Sequence, residues 1–268
     1  MAQEQMHDGW IVRQAGPPDA DHAVLLLPGA LASAAFYDDV LAEPTLTSAS
    51  VRFVVTTLPG YAGTPALADS SMEGLAASAR KVAVDLGCDA IVGHSLGANV
   101  ALEVAGSQTF SGPVVLLSPS FSRKDESRFP RTLDRLSRLL GTLPYTLMLK
   151  MIGPAMKSSL PPARRDALIV ELEKNDPHDV RRGTRRYLEY LDRHGSLVAR
   201  LCDSGTRSWV VFGEHDDIGL GDDERRGLEA CGDVTLVTIP GTGHFALNDK
   251  PAPVAEIVLQ AVSSITAE

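Results

Sequence analysis

The chain of 268 residues predicts an α/β protein with a mostly parallel central sheet, helices on both faces and a helical insertion. Three observations predict it. Short apolar runs closed by Gly, Pro or Ser recur along the chain, and short strands without polar alternation are what a sheet covered on both faces needs. Helical patterns fall between them, and strand–helix alternation argues for parallel pairing. One stretch, from about Phe121 to Leu201, shows helical patterns alone.

In chain order, HAVLLLPG (His22–Gly29) reads as a buried strand ended by Pro-Gly, and VRFVVTTLPG (Val51–Gly60) repeats the form. Apolar residues at helix spacing follow over Ser71–Leu86. DAIVGHS (Asp89–Ser95) is a strand that runs directly into a helix over Gly97–Gly106, and PVVLLSPS (Pro113–Ser120) is the next strand. The insertion reads as helices Phe129–Leu140, Tyr145–Leu160, Ala163–Lys174 and Val180–Arg200. In the first of these, Leu133, Leu136, Leu139 and Leu140 are expected to turn inward, while Arg123, Arg128, Arg131, Arg135 and Arg138 form a solvated face. SWVVFGEHD (Ser208–Asp216) and VTLVTIPG (Val234–Gly241) are the last strands. A helix over Pro251–Ile265, with prolines in its first turn, closes the chain. The expected organisation is a core of residues 1–120 and 202–268 with residues 121–201 inserted as a cap.

Composition narrows the function. With 44% apolar and 22% charged residues, the chain can bury a large core and is not of a disordered type. A net charge of −9 makes nucleic acid a poor partner. Cys88, Cys202 and Cys231 are odd in number, far apart and without a C-x-x-C pair, so three reduced thiols are expected, with neither a disulfide framework nor a zinc site. The polar start lacks the pattern of a signal peptide, and the longest apolar runs fall short of a membrane span. The expectation is a soluble cytoplasmic protein with a small-molecule substrate and no membrane partner; the oligomeric state is not legible.

The chemistry gathers at GHSLG. Ser95 stands at a strand-to-helix junction between Gly93 and Gly97. A tight turn there lifts the hydroxyl above the sheet, needs small neighbours two residues away on each side, and aims the next helix's N-terminus at the reacting atom. The N–H of Leu96 can then face a developing oxyanion. A serine hydroxyl is a weak nucleophile at neutral pH and needs a base held by an orienting group. His244 lies in the Gly-rich loop PGTGHF straight after a strand, and VVFGEHDD ends another strand in acidic residues, giving the order serine, acid, histidine.

Together LLLPGA, TLPGYAGT, GHSLGANVAL, VVFGEHD and GTGHF resemble the α/β-hydrolase-fold serine hydrolases, over nearly the whole chain. The resemblance implies the α/β-hydrolase fold, an esterase-type enzyme and a catalytic set of Ser95, Asp216 and His244. In the family the acid commonly lies three residues after the glycine ending its strand; from Gly213 that is Asp216, with Asp217 the main rival. The second oxyanion donor implied is the N–H of Ala30, in a loop that often reads His-Gly-x and here reads Pro28-Gly29-Ala30. Thr57 and Thr64 depart from the family's usual aspartate and serine, and Ala98 from its usual glycine. His94 is expected to be structural, and His7, His22, His178, His194 and His215 to have no role as base. Ser33 and Phe36 are placed at the pocket wall, without catalysis. The scheme requires neither a metal nor an organic cofactor.

The insertion offers Leu147, Met148, Met151, Ile152 and Met156, and methionines adapt to irregular apolar shapes. The expected substrate is a small to medium, fairly apolar ester, lactone or thioester. Dehalogenases and epoxide hydrolases of this kind use an aspartate nucleophile, and Ser95 argues against both. A carbon–carbon bond hydrolase or a cofactor-free perhydrolase would use the same three residues, and a non-catalytic, receptor-like use of the fold is the alternative of another class.

Overall fold

The structure is a computed structural model that describes residues 4–156 and 160–265. Residues 157–159 of the expected helix Tyr145–Leu160 lie outside the described residues.

Among the described residues eight strands form one sheet: β1 (Gln5–His7), β2 (Trp10–Ala15), β3 (His22–Leu27), β4 (Val51–Thr57), β5 (Ala90–His94), β6 (Val114–Leu117), β7 (Ser208–Gly213) and β8 (Val234–Ile239). Their order is β1-β2-β4-β3-β5-β6-β7-β8. From β4 across to β8 every pairing is parallel, while β1 with β2 and β2 with β4 run antiparallel. The six expected strands are all present. β1 and β2 were not expected, although Asp8-Gly9 between them is a hairpin signal: both residues take positive φ, 47° and 84°, as a tight two-residue turn requires.

Among the described residues twelve α-helices accompany the sheet. They are α1 (Asp38–Leu41), α2 (Pro44–Thr47), α3 (Met72–Asp85), α4 (Leu96–Gly106), α5 (Arg128–Leu140), α6 (Leu143–Met156), α7 (Arg165–Glu173), α8 (Pro177–His194), α9 (Val198–Cys202), α10 (Asp222–Glu229), α11 (Ala246–Asp249) and α12 (Pro251–Ser263). Successive side chains of a strand point to opposite faces. Leu25 and Leu27 of β3 therefore join a core with Leu75 and Ala79 of α3 and Leu102 of α4. Val24 and Leu26 join a second core with Val254 and Val258 of α12. Burial on both faces is why β3 reads LLL rather than alternating.

Between β6 and β7 the described residues hold helices α5 to α9 and no strand. Three sequence expectations fail here or nearby. The single helix over Val180–Arg200 is two, because Gly195 takes φ 67° just past His194 and ends α8. In α5 only Leu133 of the four leucines packs against the core: Leu136, Leu139 and Leu140 are exposed, and Asp134 and Ser137 are the buried side chains. The inward face is claimed instead by polar bonds, Arg185 Nε to Asp134 Oδ1 at 3.0 Å and Arg185 Nη2 to Ser137 Oγ at 3.2 Å. The arginines are correspondingly not all free, since Arg123 pairs with Asp192 and Arg131 donates to the Glu126 carbonyl.

The third correction concerns the thiols. Cys202 and Cys231 form a disulfide across 29 residues, with Cα atoms 5.6 Å apart, and Cys88 alone is free and buried. Spacing along the chain could not reveal the pair, because the sheet order sets the end of α9 beside the loop after α10. The bond weighs against the cytoplasmic expectation, since reducing compartments keep such thiols apart. No helix of the described residues is long and apolar enough to cross a membrane.

Gly93 and Gly97 show why the junction at Ser95 needs small neighbours. A Cβ on Gly93 would lie 2.6 Å from the Ala98 Cα and closer still to the Gly97 carbonyl, and one on Gly97 would lie 2.5 Å from the Pro28 carbonyl oxygen. These obstacles are backbone, so they cannot rotate away. Gly93→Ala is therefore expected to cost about 3 kcal/mol of stability or more, as overpacking against fixed atoms does. Urea unfolding measures it, with Gly219→Ala, where nothing lies within 4 Å, as the control that changes little.

Candidate active site

The sheet changes direction between β3 and β5. From β3 the chain moves outward to β4, then returns to place β5 on the other side of β3. Loops leaving the carboxyl ends of such neighbouring strands diverge and leave a crevice. Ser95 follows β5, and Ala30 follows β3. The loops after β7 and β8 bring Asp216 and His244 to the same edge.

Ser95 has φ 52° and ψ −118°, a strained conformation for a residue with a Cβ. Its own N–H donates to the Leu117 carbonyl at 2.8 Å and its carbonyl accepts from Asn99 N–H at 3.1 Å, so strand β6 and the first turn of α4 hold the strain in place. The loop Pro28-Gly29-Ala30 passes beside it: a methyl on Gly29 would stand 3.2 Å from Ser95 Cβ. The N–H groups of Ala30 and Leu96 donate to no other group among the described residues. Both residues line the same cavity as Ser95.

His244 Nδ1 donates to Asp216 Oδ1 at 3.0 Å. The Asp216 side chain is 2% exposed and the His244 ring 23%. Burial pushes the Asp216 carboxyl upward, but the His244 ring, the Ser118 hydroxyl and the Ile218 N–H, all bonded to it, together hold it below its ordinary value. It therefore remains an acceptor that fixes the ring's tautomer and leaves Nε2 free. Asp217 also lines the cavity but, unlike Asp216, makes no bond to His244. Ser118 was not singled out in the sequence. It has φ 55°, one residue past β6, and that backbone turn aims its hydroxyl at Asp216.

His94 takes the structural place expected of it. It is fully buried, and its Nε2–H donates to the His244 carbonyl at 2.9 Å, with the two rings 4.9 Å apart. Burial, and then the neighbouring His244, hold its pKa down to about 3. The unfolded imidazole titrates near 6.5, so between about 6.5 and about 3 only the unfolded chain takes up this proton. Stability from this group is complete above that window and is lost as pH falls through it, with a slope of at most about 1.4 kcal/mol per pH unit. Urea unfolding across the window is expected to show the loss, and His94→Gln, which keeps a donor for the carbonyl, to flatten it. Asp216 adds a loss only below 3.8, its unfolded value.

The other histidines serve elsewhere. His7 bonds Asp85, His22 bonds Asp89, and His194 packs on Tyr190. His215 is exposed at the cavity rim. Ser33 caps a helical turn through Ala35 N–H, and Phe36 packs toward Phe245, so neither forms the wall. Thr57 accepts from Ala34 N–H at 3.1 Å, a structural use of the loop.

The cavity that contains Ser95 and His244 has a volume of about 830 Å³, within the range of small-molecule sites. One wall is apolar, formed by Phe129, Pro130, Met156 and Leu160. Of the apolar residues that the insertion offers, Met156 lines it, Met148 and Ile152 pack in the core, and Leu147 and Met151 are exposed. The lining also holds Glu126 and Tyr187, which the sequence did not reveal. Glu126 accepts from Tyr187 OH at 2.7 Å and Ser120 Oγ at 2.6 Å, and Asn99 of α4 donates to the Ser120 carbonyl at 2.7 Å. This network fastens α8 to the helix that carries Ser95. Burial, and then Glu126, keep the Tyr187 hydroxyl protonated by raising its pKa well above the ordinary range. No periodicity marks these residues, because they meet only through the fold.

Residues 24–257 match the sequence profile of the alpha/beta hydrolase family. No curated protein sequence matches the chain. Among solved structures it is similar to a carboxylesterase of the ammonia-oxidizing thaumarchaeon Nitrososphaera gargenis, with 16% identity and a TM-score of 0.71 over 100% of this chain and 99% of that one. It is also similar to the epoxide hydrolase CorEH, with 18% identity and a TM-score of 0.75 over 99% of both chains. The thioesterase domain from the curacin biosynthetic pathway has 18% identity and a TM-score of 0.69, over 97% of this chain and 99% of that one. At these identities the similarity is one of fold.

Proposed function

The chain belongs to the alpha/beta hydrolase family, and on that premise we propose that it is a serine hydrolase of small to medium, fairly apolar carboxylic esters, lactones or thioesters. The observation that carries the reading is the 3.0 Å bond from Asp216 to His244, whose cavity a strained Ser95 also lines. A carboxylate bonded to an imidazole that lines the same cavity as a serine is the arrangement a serine nucleophile needs.

In the proposed cycle Ser95 Oγ attacks the substrate carbonyl carbon while His244 Nε2 takes its proton. The N–H groups of Leu96 and Ala30 hold the oxyanion, aided by the N-terminus of α4. His244 then protonates the leaving alcohol or thiol as the acyl-enzyme forms. Water, deprotonated by the same ring, releases the acid and restores Ser95. Asp216 stabilises the imidazolium at each step without taking the proton. Residues 121–201 act in this reading as a cap that supplies the apolar wall. That wall supports an apolar acyl group, and the carboxylesterase and thioesterase neighbours support oxygen and sulfur leaving groups alike.

The test is hydrolysis by the purified chain of p-nitrophenyl esters of graded length, lactones, thioesters and a vinylogous diketone. Turnover of short and medium esters is expected. Turnover of the diketone alone would give the site to carbon–carbon bond cleavage, and turnover of none would remove the reading.

A further inference from the structure

Helices α5 and α6 carry their apolar stripe on the outside. Leu136, Leu139 and Leu140 of α5 continue across a short turn into Leu143, Leu147 and Met151 of α6, and all are exposed, Leu139 to 86%. The spacing is helical, so on each helix they form one strip rather than scattered points. Nor is α5 a helix lacking a partner for its other side: that side is occupied by Asp134, bonded to Arg185 and Arg138. Contiguous apolar surface of this kind on an otherwise well-buried chain marks a place that something else covers.

We propose that this α5–α6 face docks on an anionic lipid surface and brings the mouth of the Ser95 cavity to it. Charge selects the partner. Residues 127–156 contain Arg128, Arg131, Arg135, Arg138 and Lys150 against one carboxylate, in a chain whose net charge is −9. That carboxylate, Asp134, is buried and already paired. Arg128, Arg135 and Lys150 are exposed around the apolar strip. Apolar residues ringed by cations are the composition of helices that lie in a lipid interface, where each cation near an anionic surface adds about 1 kcal/mol. A symmetric pair of chains joined through this face would instead set one basic rim against another.

Continuity with the cavity adds the second ground. Phe129 is 59% exposed and also lines the cavity with Pro130 and Met156, so α5 carries exposed apolar surface on the strip and at the cavity alike. An apolar substrate dissolved in lipid would meet the site there without crossing water. The helices lie on such a surface and do not span it, in keeping with their length and hydropathy. This face argues against the sequence expectation of no membrane partner, which rested on the absence of a signal-peptide pattern and of an apolar run long enough to span a membrane.

Flotation with lipid vesicles tests the proposal without reading hydrolysis, so it fails or succeeds apart from the proposed function. The full chain is mixed with vesicles of phosphatidylcholine alone or with about a third phosphatidylglycerol, which gives an anionic surface. Binding to the anionic vesicles is expected, with loss when salt is raised from about 0.1 M to about 1 M and the screening length falls from about 10 to about 3 Å. The double variant Leu139→Asp, Leu143→Asp is expected to bind on the order of tenfold or more weakly. Neither residue lines the cavity, so hydrolysis of a water-soluble ester and the circular dichroism spectrum of that variant should match the parent. Absence of binding to anionic vesicles, or equal binding by the double variant, overturns the proposal. So does a dimer in light scattering that the same variant dissociates while vesicles stay unbound, which would give the face to a second copy of the chain.

Discussion

Ser95→Ala is expected to lower kcat for a p-nitrophenyl ester by about 10⁵-fold, the scale at which a serine nucleophile's loss leaves only binding and oxyanion stabilisation. The comparison is clean because Cβ is kept, and with it the backbone strain at φ 52°. Melting of this variant should match the parent. Ser95→Gly removes the same hydroxyl and also the strain, so it should be as inactive yet more stable by about 1 kcal/mol, the usual cost of a non-glycine residue in such a conformation. Inactivity with lowered stability in both variants would point to a collapsed junction rather than a missing nucleophile.

The second large effect separates two adjacent carboxylates. Asp216→Asn is expected to lower kcat by about 10⁴-fold, because an amide in that place can present its N–H₂ to the ring and select the wrong tautomer. Asp217→Asn should change kcat by less than about threefold, since its carboxylate touches the cavity but not His244. Because the Asp216 carboxyl is held below its ordinary value, an acid limb of the pH–rate profile in the neutral range should not come from this group. Equal, mild losses in the two variants would show that neither carboxylate orients the ring.

The strands and the junction were legible because their physics is local. Phe53–Val55 and Trp209–Phe212 are buried at consecutive positions on both faces, so the requirement for apolar residues appears at each of them. Ser95 was legible because a tight turn writes its steric needs into its neighbours as Gly93 and Gly97. His244 and Asp216 were visible as chemistry at strand ends, although only the resemblance singled out Asp216 over Asp217.

What escaped depends on contacts across the chain. Ser118 looked like a strand-end serine, and its role exists only because β6 and β7 are neighbours that set it against Asp216, 98 residues away. Glu126 and Tyr187 meet 61 residues apart. Cys202 and Cys231 are brought together by the end of the sheet. The leucines of α5 misled for another reason: a stripe has two sides, and which side faces the protein is decided by what Arg185 offers there, not by hydropathy alone. The same inversion leaves the exposed face from which lipid docking was inferred.

The most direct measurement is reaction of the folded chain with a fluorophosphonate, followed by digestion and mass spectrometry of the peptides. A nucleophile activated by His244 on the carboxyl edge of the sheet predicts one adduct, on Ser95, with its rate of formation cut steeply by His244→Ala. An adduct on any other residue, or an unmodified Ser95 in protein that is demonstrably folded, would contradict it.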